Sequence, residues 1–136
     1  MEIINIAATN LTPKVLLDRE KHVFELEGES RPENVYDFYF PIITELIKFL
    51  ECLHEDNSDD SPSISTLKAN FKLFYFNSSS AKFIADIISL LKTFNDKGLD
   101  IGIYWYFNEG DDDIKEAGEE LSEMVSFRFN YVMIKQ

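Results

Sequence analysis

The residues Asn77-Ser78-Ser79-Ser80 stand between the apolar run LFYF and the amphipathic segment AKFIADIISLL, which puts three hydroxyls where a strand is expected to hand over to a helix. Sites in open α/β sheets lie outside the carboxyl ends of strands. The first turn of a helix also offers unsatisfied N–H groups and the positive end of the macrodipole. A phosphate on one of these serines would be stabilised there by about 0.3–1 kcal/mol. It would also bring about 1.5–2 negative charges to the surface in one step, enough to disrupt a partner surface by repulsion or desolvation. The same residues fit a plainer role, with Asn77 or a serine capping the helix. Local sequence leaves both readings open.

Other chemistry finds less support. A nucleophilic serine needs a base and an oxyanion site, yet FNSSSA is not the G-x-S-x-G elbow. The histidines are His22, at the start of an expected strand, and His54, at a helix end beside acidic residues. EDNSDD (55–60) superficially matches a calcium loop, but the sixth position from Asp56 is Ser61 rather than Gly and the twelfth is Leu67 rather than Glu. NEGDDDIKEAGEE (108–120) gathers carboxylates at a helix N-terminus, where the dipole favours them. Weak Mg²⁺ binding or the docking of a basic partner are the other readings of Asp111, Asp112 and Asp113. No glycine-rich phosphate loop is present, so neither a nucleotide nor any other cofactor is expected. Cys52 sits among apolar residues and reads as a buried structural thiol.

The elements that would position these residues follow from hydrophobic spacing. KVLLD (14–18) and HVFELEG (22–28) flank a polar REK and predict a hairpin. Ser30 and Glu33 have capping-box spacing, which predicts a helix starting at Ser30, interrupted at Pro41 and resuming from about Ile42 to His54. Residues 55–65 turn to Asp, Ser, Asn and Pro and predict an exposed acidic loop. FKLFYF (71–76) and IGIYWYF (101–107) are nearly continuous in apolar residues and predict central strands covered on both faces, with Tyr104, Trp105 and Tyr106 in the core. Between them Phe83, Ile84, Ile87, Ile88, Leu90, Leu91 and Phe94 keep helical spacing, and Gly98 is placed to close that helix. Asp111 would cap a last helix carrying Ile114, Ala117, Leu121 and Met124, before a final strand over 127–134. The sum is an α/β fold, one mixed β-sheet packed against helices, in a single domain over 1–136.

Charge and length bound the function. With 25 acidic against 13 basic side chains, a net charge of -12 repels phosphate backbones and anionic lipid, so no nucleic acid and no membrane insertion are expected. MEIINIAATN lacks the basic flank and cleavage site of a signal peptide, which predicts a cytoplasmic protein.

Four blocks, TPKVLLD, GESRPENVYDFYFPI, LFYFNSSSAKFIADII and YWYFNEGDDDIKEAGEE, resemble in order and spacing the SiaC family of bacterial regulatory phosphoproteins. The most specific block is Ser30-Arg31-Pro32-Glu33-Asn34 with Phe38, Tyr39 and Pro41, followed by Tyr75-Phe76-Asn77 and its hydroxyls. The resemblance implies a STAS-like domain, the fold of anti-sigma-factor antagonists. It also implies a non-enzymatic partner switch: a serine/threonine kinase phosphorylates the protein, a PP2C-type phosphatase reverses this, and the unmodified form binds and activates a target. In the family that target is a diguanylate cyclase, linking the switch to cyclic-di-GMP and biofilm control.

The family's acceptor is a threonine directly after the Asn of Tyr-x-Asn, which falls on Ser78 here, with Ser79 and Ser80 as alternatives and Asn77, Ser79 and Ser80 shaping the turn. Partner docking is expected at Ser30, Arg31, Glu33, Asp111, Asp112 and Asp113. Gly110 departs from the pattern, standing where another acidic residue is expected. The competing functions are a small metal-dependent hydrolase using Asp111–Asp113 with a serine, and a constitutive scaffold.

Overall fold

Nine elements follow one another along the chain in a computed structural model that describes residues 2–58 and 66–135. They are β1 (Glu2–Ile6), β2 (Lys14–Asp18), β3 (Val23–Ser30), α1 (Val35–Ser58), β4 (Thr66–Phe76), α2 (Ser78–Asp96), β5 (Asp100–Asn108), α3 (Asp112–Val125) and β6 (Asn130–Ile134). The strands form one six-stranded sheet in sequence order. β1, β2 and β3 pair antiparallel, and β3 to β6 run parallel to one another, each joined to the next by a helix. The hairpin, the parallel crossovers and the mixed sheet agree with the sequence expectation. β1 was not foreseen; it adds an edge strand beside β2 and buries Ile4.

Right-handed crossovers that always step in one direction put every helix on the same face of a sheet. Burial follows this rule: Leu67, Ala69, Phe71 and Leu73 of β4 and Ile101, Ile103 and Trp105 of β5 are buried, and their alternating neighbours are not. The expected two-sided cover is therefore corrected to one-sided. Trp105 lies in the core, while Tyr104 and Tyr106 lie on the open face. That face is dressed by long polar side chains whose stems cover apolar surface. Lys68 sits over the Tyr104 ring at 5.5 Å and Lys72 over Tyr106 at 4.9 Å, while Lys72 and Lys14 reach Glu25 at 3.0 and 3.3 Å.

The helix-facing core is built by Tyr39, Ile42, Leu46 and Leu50 of α1, Ile84, Ile87, Ile88 and Leu91 of α2, and the inner residues of the strands. Trp105 is stacked between Phe71 and Phe129, 5.9 Å from each, and its indole N–H donates to the Ile114 carbonyl at 2.8 Å.

The bounds of α1 differ from expectation. Ser30 ends β3 instead of starting a helix, because its carbonyl accepts the Asn77 N–H and its hydroxyl turns inward. Asn34 caps α1 in its place, accepting the Asp37 N–H at 3.0 Å. Pro41 does not break α1. It falls in the second turn, where a missing N–H removes one bond, and buried Tyr39, Ile42 and Leu46 on either side hold the helix through a cost of about 3 kcal/mol. Cys52 is exposed rather than buried, since the core stripe of α1 takes Phe49, Leu50 and Leu53 and leaves position 52 outside. Of the expected loop, 55–58 belong to α1 and 59–65 lie outside the described residues.

Candidate functional site

Because β3, β4, β5 and β6 are parallel, their carboxyl ends share one edge of the sheet. Ser30 and Arg31 stand at the end of β3, Asn77 and the serines at the end of β4, and Asp111–Asp113 beyond β5. The residues singled out in sequence are thus brought to a single edge.

Asn77 is the N-cap of α2: its backbone is extended (φ -84°, ψ 174°) and its Oδ1 accepts the Ser80 N–H at 2.9 Å. Its carbonyl takes the Ala81 N–H at 2.9 Å, the first bond of the helix. The capping role and an accessible hydroxyl therefore coexist on different residues. Ser78 and Ser79 are exposed, and Ser80 is fully buried. Lys82, also exposed, is one helical turn on from Ser78, at the i+4 spacing that brings side chains together.

Beneath the exposed serines lies a cluster of hydroxyls. Ser30 Oγ donates to Ser80 Oγ at 2.8 Å and lies 2.5 Å from the Tyr39 hydroxyl. Burial pushes the Tyr39 hydroxyl up to about 12, against the opposing hydrogen bonds of Ser30 and Ser80, so it is neutral across the physiological range. The Tyr39 ring stacks on Phe83 at 5.6 Å and meets Phe38 edge-on at 4.9 Å. Tyr36 and Phe40, both about half exposed, stack at 5.1 Å and extend this aromatic group to the surface.

A bulge shapes the other side of the edge. β3 and β4 change register between Gly28 and Glu29, which pair with Leu73 and Tyr75, so that Phe74 is an extra residue on β4. Bulges re-aim side chains at sheet rims, and here Phe74 and Tyr75 are both half exposed. Phe74 borders one shallow cleft with Thr9, Asn10, Glu29 and Arg31 and another with Lys72, Tyr106, Asn108 and Asp111. Arg31 and Asp111 thus flank the same aromatic residue.

The remaining predicted positions take distinct places. Ser30 has no accessible surface, so it supports the turn from inside and cannot itself touch a partner. Arg31 and Glu33 are exposed, and Arg31 pairs with Glu29 at 3.3 Å. Asp111 caps α3, accepting the Ile114 N–H at 3.2 Å, with Asp112 and Asp113 exposed in the first turn. Among the described residues, no three acidic, histidine or cysteine side chains converge as a metal site. His22 contacts the Thr66 carbonyl at the start of β4, a full strand length from Ser78, and His54 packs against Phe94 near the far end of α2. Neither can serve Ser78 as a base.

Comparison with known proteins bears on this arrangement. The sequence model described as SiaC family regulatory phosphoprotein matches residues 6–134. The chain belongs to the SiaC family. It is 27% identical over 129 residues to an uncharacterised Pseudomonas aeruginosa protein, covering 95% of this chain and 94% of that one. The crystal structure of apo-SiaC from Pseudomonas aeruginosa superposes with a TM-score of 0.78 at 25% identity, over 98% of each chain. The SiaC chain in a crystal structure of the diguanylate cyclase SiaD with its activator SiaC, from the same organism, gives 0.79 at 25% identity, over 98% of this chain and 99% of that one. Membership makes this chain one of a family of regulatory phosphoproteins. Among the described residues no helix is long and apolar enough to cross a membrane.

Tyr39 is the site residue that sequence reasoning missed. It lay within the most specific block but reads in sequence only as part of the short helical stretch before Pro41. The signal was its hydroxyl, since a buried tyrosine needs a polar partner.

Proposed function

We propose that this chain is a non-enzymatic regulatory protein whose unmodified form binds and activates a target, and that phosphorylation of Ser78 ends the interaction. The observation that carries the reading is the exposed Ser78 hydroxyl in the first turn of α2, on the same sheet edge as exposed aromatic and charged residues. A phosphate there meets the free N–H groups and positive dipole of the turn, and Lys82 at i+4, so the fold accepts it. Its added charge falls at the carboxyl end of β4, the end that also carries the exposed Tyr75 and Phe74, where it opposes the desolvation that docking requires. A serine/threonine kinase would add the phosphate and a PP2C-type phosphatase remove it, in the cytoplasm.

The complex of SiaC with the cyclase it activates supports a diguanylate cyclase as the target class. Arg31, Glu33 and Asp111–Asp113, around Phe74 and Tyr75, are assigned to the docking surface. The test is titration of the target cyclase with unmodified protein, Ser78-phosphorylated protein, Ser78→Ala and Ser78→Asp. Unmodified protein and Ser78→Ala bind alike, the phosphorylated form binds at least about tenfold more weakly, a difference of about 1.4 kcal/mol, and Ser78→Asp falls between because it carries less charge. Equal affinity of all four forms overturns the reading.

A further inference from the structure

Ser80 is held at two points, by its backbone N–H on Asn77 Oδ1 at 2.9 Å and by its side-chain oxygen on Ser30 Oγ at 2.8 Å. The only proton of Ser30 goes to Ser80, so the Tyr39 hydroxyl donates to Ser30. Three elements, β3, α1 and α2, therefore converge on one hydroxyl, and none of the three groups has accessible surface. Ser78 and Ser79, in the same turn, are exposed. Phosphoryl transfer requires an acceptor hydroxyl in line with the γ-phosphate and free to give its proton to the kinase's catalytic carboxylate. Ser80 meets neither requirement unless the first turn of α2 opens.

We propose that Ser30 and Tyr39 are positioning residues that select the phosphate acceptor, locking Ser80 inward so that the turn offers Ser78 and Ser79 alone. This rests on the phosphorylation reading above. It also accounts for three consecutive serines in a switch that uses one: the third is part of the scaffold that presents the first.

The experiment maps phosphate in protein purified from its own host, as wild type, Ser30→Ala and Tyr39→Phe. Lys72 and Lys82 bracket residues 73–82, so one tryptic peptide carries all three serines and fragmentation assigns the position. Wild-type phosphate is expected on Ser78, with Ser80 carrying least of the three. In Ser30→Ala the share on Ser80 rises by about fivefold, the factor that one hydrogen bond of ordinary net strength puts on an opening equilibrium. Tyr39→Phe keeps the ring against Phe83 and gives a smaller rise in the same direction; it decides the matter if Ser30→Ala does not fold.

A purely structural role would change total phosphate without moving it between serines, and that result in the folded variants overturns the proposal. Phosphate on Ser80 of the wild type equal to that on Ser78 overturns it too, while leaving the switch intact. Phosphate on none of the three serines in any protein removes the switch, and the selector with it.

Discussion

Gly118 of α3 lies directly against Trp105: a Cβ on the glycine would come within 2.5 Å of the indole Cδ1 and Nε1. The indole cannot retreat, because Phe71 and Phe129 stack on it and its N–H is bonded to the Ile114 carbonyl. Gly118→Ala gains up to about 1 kcal/mol of helix propensity but overpacks a rigid site, a change that costs about 1–3 kcal/mol. The expected result is a net loss of stability with an altered Trp105 emission. As Trp105 is the chain's one tryptophan, urea unfolding followed by fluorescence reads both. An alanine variant as stable as wild type would mean that α3 shifts freely on the sheet.

The cap on α2 makes a separate prediction. Asn77→Ala removes the acceptor of the Ser80 N–H and should cost about 1 kcal/mol. Asn77→Asp retains an oxygen at the same place, and its charge suits the helix dipole. It should stay within a few tenths of a kcal/mol of wild type, the ordinary range for a good cap. Chemical denaturation of the three proteins checks the order. Equal loss in both variants would show that the amide nitrogen, not the cap oxygen, matters.

The strand and helix pattern was legible because one-sided cover imposes clean periods, as in Leu67, Ala69, Phe71 and Leu73 or Ile84, Ile87, Ile88 and Leu91. What misled were residues whose local chemistry was outweighed by distant partners. Ser30 and Glu33 match a capping box, but the hydroxyl of Ser30 is satisfied by Tyr39 in the next element and by Ser80, far along the chain, and no local rule can see that. FKLFYF and IGIYWYF read as strands buried on both faces, because lysine stems and tyrosine rings cover the open face as apolar residues would. Pro41 carries a local penalty that the core on either side outweighs. The strand-to-helix turn at Asn77–Ser80 was legible in the sequence; the inequality of its three serines was not, because it rests on the partners of Ser80 in β3 and α1.

Gly110 stands where an acidic residue was expected from the sequence, and the backbone explains why glycine suits it. Its φ is +88°, in the region that L side chains avoid, while the Asp111 N–H closes the turn onto the Asn108 carbonyl at 2.9 Å. Space is not limiting, since a Cβ there meets nothing within 4 Å. Gly110→Glu, which supplies the expected acidic residue, should therefore destabilise by about 1–2 kcal/mol through backbone strain alone. Thermal unfolding of Gly110→Glu beside Gly110→Ala tests this. Equal losses locate the cost in φ, whereas a stable Gly110→Glu would mean the turn readily changes conformation.

Glu25 on the open face predicts how stability responds to acid. Burial works to raise its carboxyl, but hydrogen bonds and charge from Lys72, then from Lys14, outweigh this and hold it below the usual glutamate value. The folded state therefore keeps Glu25 ionised at a pH where the unfolded chain has taken up the proton. Stability from the pair is fully present above the unfolded pKa, about 4.3 for glutamate, and is lost as pH falls through the lower folded value. Lys72 and Lys14 keep 29% and 40% of their side-chain surface in water, so screening holds the effect to about 1 kcal/mol or less. Glu25→Gln should be less stable than wild type by that amount at neutral pH, and the gap should close as pH drops below about 4. Denaturant unfolding of both proteins across the acid range checks it. A gap that stays constant with pH would assign the loss to packing rather than to the ion pairs.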